Sequence, residues 1–152
     1  MKNNIECIIR EKDYQQGVVA ETTIFDKLRN KGFTVEETDR YDWFDCKIND
    51  NYLGEVKKRF VKKDTFDTTI IPMSKIREWK KVKRDYHDLI LIFTFEDCDT
   101  YISYREVCKL IKTDNRIKIA NFQRNKGFTH YVKKHLFIPT DLLHPFDCIT
   151  LA

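Results

Sequence analysis

The chain has 152 residues, of which 41% are hydrophobic and 34% charged, and its formal net charge is +4 at pH 7. This is the length of one ordinary domain with a buried core, and no apolar run approaches the roughly 18 residues that a membrane span needs. The first residues lack the apolar stretch of a secretory signal and the five cysteines form no close pairs, so we expect an intracellular, cytoplasmic protein without a disulfide framework or a zinc ribbon.

The first predicted element is a helix from Asp13, a suitable N-cap residue, to about Lys31. Gly32 follows and is expected to end the helix in a left-handed conformation. The sequence "FTVEET" at residues 33–38 then predicts a strand.

The next two predicted strands form a hairpin. Their sequences are "WFDCKI" and "YLGEVKKRF", and the intervening residues 49–51, Asn-Asp-Asn, suit a tight turn. A turn centred on Asp50 places Asp45 opposite Glu55 on the neighbouring strand.

The second half of the chain combines helices and strands. In order, the pattern predicts a helix over 74–86, a continuously apolar strand over 88–95, a strand over 100–104, a short helix over 105–112, strands over 116–122 and 130–138, and a closing turn at 140–143. Ser103 and Glu106 have the spacing of a capping box at the start of the short helix. We therefore expect a single α/β domain over residues 1–152, with a mixed central β-sheet flanked by helices.

An acidic residue, any residue and then lysine occur three times, at 45–47, 55–57 and 78–80. The copy at 78–80 lies in a predicted helix, where positions two apart do not share a face. In the predicted strand, alternation puts Glu55 and Lys57 on one face. Because of this strand context, and not the spacing alone, residues 55–57 are the candidate catalytic residues.

Asp45 and Glu55 would lie opposite each other across the hairpin, with Cβ atoms ~4.5–5.5 Å apart. Like charges placed so closely repel, and a divalent cation between them would compensate that repulsion. A few oxygen ligands with open positions suit Mg²⁺, with Mn²⁺ as the expected substitute. Lys57 would then orient an attacking water or neutralise charge in the transition state, although a lysine that only bridges the two acids fits equally well.

Glu21 lies on the same helical stripe as Val18, Phe25 and Leu28. A carboxylate on a stripe that faces the core requires a compensating partner. A bound metal or Lys57 would supply that partner. Alternatively, Glu21 lies at the edge of the stripe and reaches solvent.

The segment 57–84 contains eleven Lys or Arg and three acidic residues, which gives it a charge of +8 and leaves −4 for the remainder. A basic block on a near-neutral body is expected of a protein that binds a phosphate backbone, although a solvated helix face has the same composition. Trp79 would either stack on a base or anchor its helix in the core with Ile76. The residues predicted to contact nucleic acid are Lys58, Arg59, Lys62, Lys63, Lys75, Arg77, Lys80, Lys81, Lys83 and Arg84.

These features resemble the PD-(D/E)XK nuclease superfamily. They are an acid on one strand, Glu-x-Lys on the next, a preceding helix with an inward Glu, and a following helix and apolar strand. The resemblance covers about residues 13–104 and implies a restriction-endonuclease-like α-β-β-β-α-β core, with residues 105–152 as a C-terminal elaboration.

Carried onto individual residues, the resemblance implies that Asp45 and Glu55 hold Mg²⁺ and that Lys57 is the third signature residue. Glu21 matches the first-helix acid of resolvase-like members. The chain has no Pro before Asp45, and Asp42 competes for the place of the first acid.

The implied activity is that of a Mg²⁺-dependent endonuclease that hydrolyses DNA phosphodiester bonds, with substrate choice resting on DNA shape. A homodimer would suit paired cuts, and a phage or mobile-element origin would suit a small nuclease of this kind. Two alternatives remain at this point: a catalytically inactive nucleic-acid-binding module of the same fold, and a protein-interaction domain with an acidic surface hairpin.

Overall fold

The computed structural model describes residues 2–39, 42–126 and 129–151, and the side chains within 11–39, 42–123 and 132–151. Its elements in chain order are α1 (Lys2–Asn30), β1 (Val35–Glu37), β2 (Cys46–Ile48), β3 (Tyr52–Lys58), β4 (Thr68–Pro72), α2 (Met73–Val82), β5 (Asp88–Thr94), β6 (Asp99–Ser103), α3 (Tyr104–Leu110), β7 (Lys118–Lys126), β8 (Thr129–Pro139) and β9 (His144–Pro145). None of the helices in these ranges has the length and apolar character needed to cross a membrane.

The strands form two sheets. The larger has six strands in the order β1-β2-β3-β5-β6-β9, in which β3 and β5 are parallel and the other neighbours antiparallel. The smaller has the antiparallel order β4-β8-β7. The predicted α/β class with a mixed sheet and flanking helices is therefore confirmed.

Both faces of the larger sheet are covered. On one face, Phe25 and Leu28 of α1 pack against apolar side chains of β2, β3 and β5. On the other face, Ile76 and Trp79 of α2 pack with α3, the smaller sheet and the opposite side chains of β5. All seven residues of β5 are buried as a result, which confirms the strand predicted from its continuous apolar run.

The first helix is longer than predicted, because it begins at Lys2 and not at Asp13. No Pro or Gly interrupts the residues before Asp13, so nothing there stops the helix. Its predicted end is confirmed: Gly32 has a φ of 94°, and the backbone N–H of Phe33 donates to the carbonyl of Leu28 at 3.1 Å.

The hairpin has the predicted register, with Ile48 opposite Tyr52 and Cys46 opposite Gly54. Its turn uses positive φ angles of 50° at Asn49 and 61° at Asp50, a region that Asn and Asp tolerate better than most residues. The paired ladder ends at Cys46, so Asp45 and Glu55 do not form the predicted ladder pair. Hydrogen bonds of the Asp45 backbone and carboxyl to β3 position that residue instead.

Strand β4 has no counterpart among the predicted elements. Only Ile70 and Ile71 give it apolar character, and Pro72 follows at once. It is a strand because β8 pairs with it along its whole length, from Thr68 opposite Pro139 onward. Such long-range pairing cannot be read from five residues.

Candidate active site

Glu55 lies in the middle of β3, between β2 and β5, with a side chain that is only 2% exposed. Its Oε1 atom lies 3.0 Å from Nζ of Lys57 and 3.2 Å from Nζ of Lys75. Its Oε2 atom is buried and has no hydrogen-bond partner among the described residues. A buried acceptor without a partner is costly, and the side chains around Glu55 satisfy only one of its two carboxyl oxygens.

Asp45 directly precedes β2 and reaches across to β3. Its backbone N–H donates to the carbonyl of Gly54 at 3.0 Å, and its Oδ2 accepts from the N–H of Val56 at 2.7 Å. Because these two bonds bracket Glu55 along β3, they hold the Asp45 carboxyl beside it. The competing first acid, Asp42, is exposed, and its carboxylate accepts from the N–H of Asp39 instead.

Glu21 brings a third carboxyl to the same place from α1. Its carboxyl lies within hydrogen-bonding reach of that of Asp45, and the charge of Glu55 acts on it as well. Phe25 and Leu28 on its stripe are buried, whereas Val18 is 39% exposed, so Glu21 lies where the buried part of the helix ends. Glu21 is half-buried at the edge of the stripe, so its position combines features of the two alternatives that the sequence left open.

The acids of this cluster resist ionisation. Burial, followed by the charge of Glu21, raises the pKa of Asp45 to about 6. Burial also raises the pKa of Glu55, against the opposing influence of Lys57 and Lys75, and it raises the pKa of Glu21. The cluster therefore carries more acid groups than its own lysines can neutralise in a desolvated position.

The carboxyl oxygens of Asp45 and Glu55 are ligands of the kind that a divalent cation requires. Hard oxygen ligands suit Mg²⁺ and Mn²⁺, and Mg²⁺ is commonly held by one or two carboxylates together with water. Asp45 and Glu55, with the unpartnered Oε2 atom, meet that requirement. Among the described residues, no group of three or more His, Cys, Asp or Glu side chains is placed to hold a metal.

Lys75 belongs to this cluster, although the sequence pattern assigned it to phosphate binding. It lies in the first turn of α2 with an 18% exposed side chain. Besides Glu55, its Nζ donates to the backbone carbonyl of Trp43 and lies 5.7 Å from the ring centre of Phe44. No local signal marks it, because its position depends on how α2 packs against the sheet.

Arg59, predicted to contact nucleic acid, also makes contacts within the protein. Its Nε donates to the hydroxyl of Thr69 at 3.1 Å, and its Nη2 donates to the carbonyl of Ile70. Its guanidinium lies 5.6 Å from the ring centre of Phe93. These contacts tie the end of β3 to β4, so Arg59 joins the two sheets.

A cleft of about 730 Å³ opens beside the cluster, between α1, the segment after β3 and the smaller sheet. Glu21 and Lys57 line it, together with four of the predicted nucleic-acid contacts, namely Lys58, Arg59, Lys62 and Lys63. The other predicted nucleic-acid contacts are exposed on α2 and the turn after it but do not line the cleft; they are Arg77, Lys80, Lys81, Lys83 and Arg84. Trp79 is only 6% exposed and serves as a core anchor.

The structure thus gathers Glu21, Asp45, Glu55, Lys57 and Lys75 in one cluster. Of these, Glu21 and Lys57 line the basic cleft. No family model matches this chain, and neither a curated protein nor a solved structure matches it. The chemistry of these side chains is therefore the basis for a functional proposal.

Proposed function

We propose that this protein is a metal-dependent endonuclease that hydrolyses DNA phosphodiester bonds. The observation that carries the proposal is the carboxyl pair of half-buried Asp45 and buried Glu55 beside Lys57, with one oxygen of Glu55 left without a partner. Ion pairing with lysines alone leaves that oxygen unsatisfied. A cation held by the two acids would be the missing partner of that oxygen and would relieve the repulsion between the two carboxylates.

The order of the elements supports the same assignment. Helix α1, strands β1, β2 and β3, helix α2 and strand β5 follow one another as the resemblance to PD-(D/E)XK nucleases implies. Strand β4 is an insertion between β3 and α2, and it pairs in the smaller sheet. We accordingly propose that the larger sheet with α1 and α2 is a restriction-endonuclease-like core.

Each member of the cluster has a defined part in this proposal. Asp45 and Glu55 would hold Mg²⁺ or Mn²⁺, which when bound would stabilise charge on the phosphate. Lys57, whose side chain is 29% exposed at the cleft, is placed to orient the attacking water or to neutralise developing charge. Lys75 fixes the Glu55 carboxylate, and the Glu21 carboxyl lies beside that of Asp45 on the side of α1.

The decisive experiment is a cleavage assay with Mg²⁺ or Mn²⁺ on four DNA substrates: duplex, single strand, flap and four-way junction. Wild-type protein is compared with Glu55→Gln, which preserves side-chain size but removes the charge. The matched control is Glu78→Gln, taken from the acid-x-lysine triplet on α2. Glu55→Gln is expected to lower the rate by at least about 100-fold, whereas Glu78→Gln should cleave like the wild type.

Cleavage that persists in Glu55→Gln would overturn the assignment of the site. A retarded DNA band without cleavage of any of the four substrates would favour an inactive nucleic-acid-binding module instead. Loss of activity in both variants would show that the effect is not specific to the cluster.

A further inference from the structure

Three large aromatic side chains are exposed at the same cleft. Phe60 is 53% exposed, Phe66 63% and Phe122 37%, and all three line the cleft that contains Glu21. Exposed single apolar residues are ordinary on a protein surface, but aromatic rings gathered in one concave site indicate a ligand with flat apolar faces.

Positive charge is interleaved with these rings. Within residues 57–66 the cleft is lined by lysines 57, 58, 62 and 63 and by Phe60 and Phe66. A groove that offers ammonium groups for a backbone and aromatic rings for bases is the arrangement by which proteins bind single-stranded nucleic acid. In a duplex the base faces are covered by neighbouring pairs, so exposed rings would contribute little to duplex binding.

The segment that carries Phe60 and Phe66 is fastened at several points. The carbonyl of Val61 accepts from the N–H of Glu96 at 3.0 Å, and the N–H of Lys63 donates to Oδ1 of Asp97 at 2.9 Å. The hydroxyl of Thr140 donates to the carbonyl of Phe66 at 3.3 Å. The rings therefore stand on an ordered segment, and binding would cost less conformational entropy than on a free loop.

The opposite wall is also aromatic. The ring of Phe122 on β7 makes edge contacts with His135, with centres 5.5 Å apart, and with Phe137, with centres 6.3 Å apart. All three residues line the cleft. Their contacts hold the Phe122 ring in a fixed orientation while more than a third of it stays exposed.

We propose that this cleft binds an unpaired DNA strand, with its bases stacked on Phe60 and Phe66 and its phosphates beside Lys58, Lys62 and Lys63. The inference extends the proposed nuclease function, because Glu21 and Lys57 line the same cleft and a strand bound there would pass the candidate active site. The substrate class would then be DNA with a single-stranded segment, such as a flap or a free single strand, in preference to continuous duplex.

The test measures binding without catalysis, by fluorescence anisotropy of labelled DNA in buffer with EDTA. Wild-type protein is titrated with a thymidine oligomer of about 12 nucleotides, with an abasic oligomer of equal length, and with a duplex of equal length. The abasic strand carries the same phosphates but no bases. The thymidine strand is expected to bind at least about 10-fold more tightly than either of the others.

The double variant Phe60→Leu/Phe66→Leu is expected to lose most of this advantage, by about 10-fold on the thymidine strand, with little change on the abasic one. Ile111→Ala is the control, since Ile111 is a 43% exposed apolar residue that does not line the cleft. Equal binding of the thymidine and abasic strands by the wild type would overturn the inference. So would an equal loss on both strands in the double variant.

These outcomes separate the inference from the proposed function. Base-dependent binding by a protein that cleaves nothing would support the inference and overturn the nuclease proposal. Glu55-dependent cleavage of duplex, by a protein that binds the thymidine and abasic strands equally, would support the nuclease proposal and overturn the inference.

Discussion

Residues 55–57 on β3 and 78–80 on α2 both read acid, apolar residue, lysine, but their glutamates lie in opposite surroundings. Glu55 is 2% exposed, contacts two lysines through one oxygen and leaves the other oxygen unpartnered among the described residues. Glu78 is 20% exposed and pairs with Lys81, one helical turn along, at 2.9 Å. Strand alternation places Glu55 and Lys57 on one face of the sheet, whereas helical geometry turns Glu78 and Lys80 to different faces and pairs Glu78 with Lys81 instead.

The largest expected effect on stability follows from removing a lysine that contacts Glu55 of the first triplet. Lys75→Met leaves the buried Glu55 carboxylate with Lys57 as its remaining cation, and we expect a loss of about 2–3 kcal/mol in the free energy of unfolding near neutral pH. The loss should shrink at about pH 5, because without Lys75 the pKa of Glu55 rises further and the folded protein takes up a proton. Urea unfolding at the two pH values, in EDTA, measures both.

The control is Lys80→Met, from the second triplet. Lys80 is exposed on the same helix, and its replacement should change the free energy of unfolding by less than about 0.5 kcal/mol. Equal losses in the free energy of unfolding of Lys75→Met and Lys80→Met would mean that the buried contact of Lys75 with Glu55 does not stabilise the protein.

The features that depend on residues close together in the sequence could be predicted from it. The register of the hairpin is predictable, because Asn49 and Asp50 suit a tight turn and the flanking strands are short. The capping residue Ser103 is likewise confirmed, with its hydroxyl accepting from the N–H of Glu106 at 3.1 Å. Both features are local, and local residue preferences decide them.

The contacts of Lys75 and Arg59 could not be predicted from the sequence, because they depend on residues far apart in the chain. Both are basic residues in a basic segment, and their partners on other elements become neighbours only when the sheet, α2 and β4 pack together. Composition predicts a positive surface but does not say which of its members turn inward. That distinction requires the tertiary structure.

Asp45→Asn is expected to have the next largest effect, with the opposite sign. The folded protein binds a proton at Asp45 below about pH 6, whereas an unfolded chain binds one only below about pH 4. Stability from this group is therefore lost as pH rises from about 4 to about 6 and stays lost above that interval. Because Asn is neutral and can accept from Val56 and donate to Glu21, the variant should be about 1–2 kcal/mol more stable near pH 8.

Urea unfolding of wild type and Asp45→Asn across that pH interval, in EDTA, measures this difference. The control is Asp42→Asn, since Asp42 is exposed and its carboxylate accepts from the Asp39 N–H. A flatter pH profile should appear in Asp45→Asn only. Parallel profiles for the wild type and Asp45→Asn would show that Asp45 titrates normally in the folded protein.

The smallest expected effect is the stabilisation by Mg²⁺, and it tests directly whether a metal binds between Glu55 and Asp45. At about ten times its dissociation constant, Mg²⁺ should stabilise the wild type by about 1.4 kcal/mol, and thermal unfolding with and without EDTA would measure the shift. Asp45→Asn should lose that shift, because the substitution removes a ligand and relieves the repulsion that the cation would neutralise. The two stabilising changes are therefore expected to be non-additive, as for groups that share one interaction. An equal Mg²⁺ shift in both proteins would locate the cation elsewhere and leave Glu55 paired with its lysines alone.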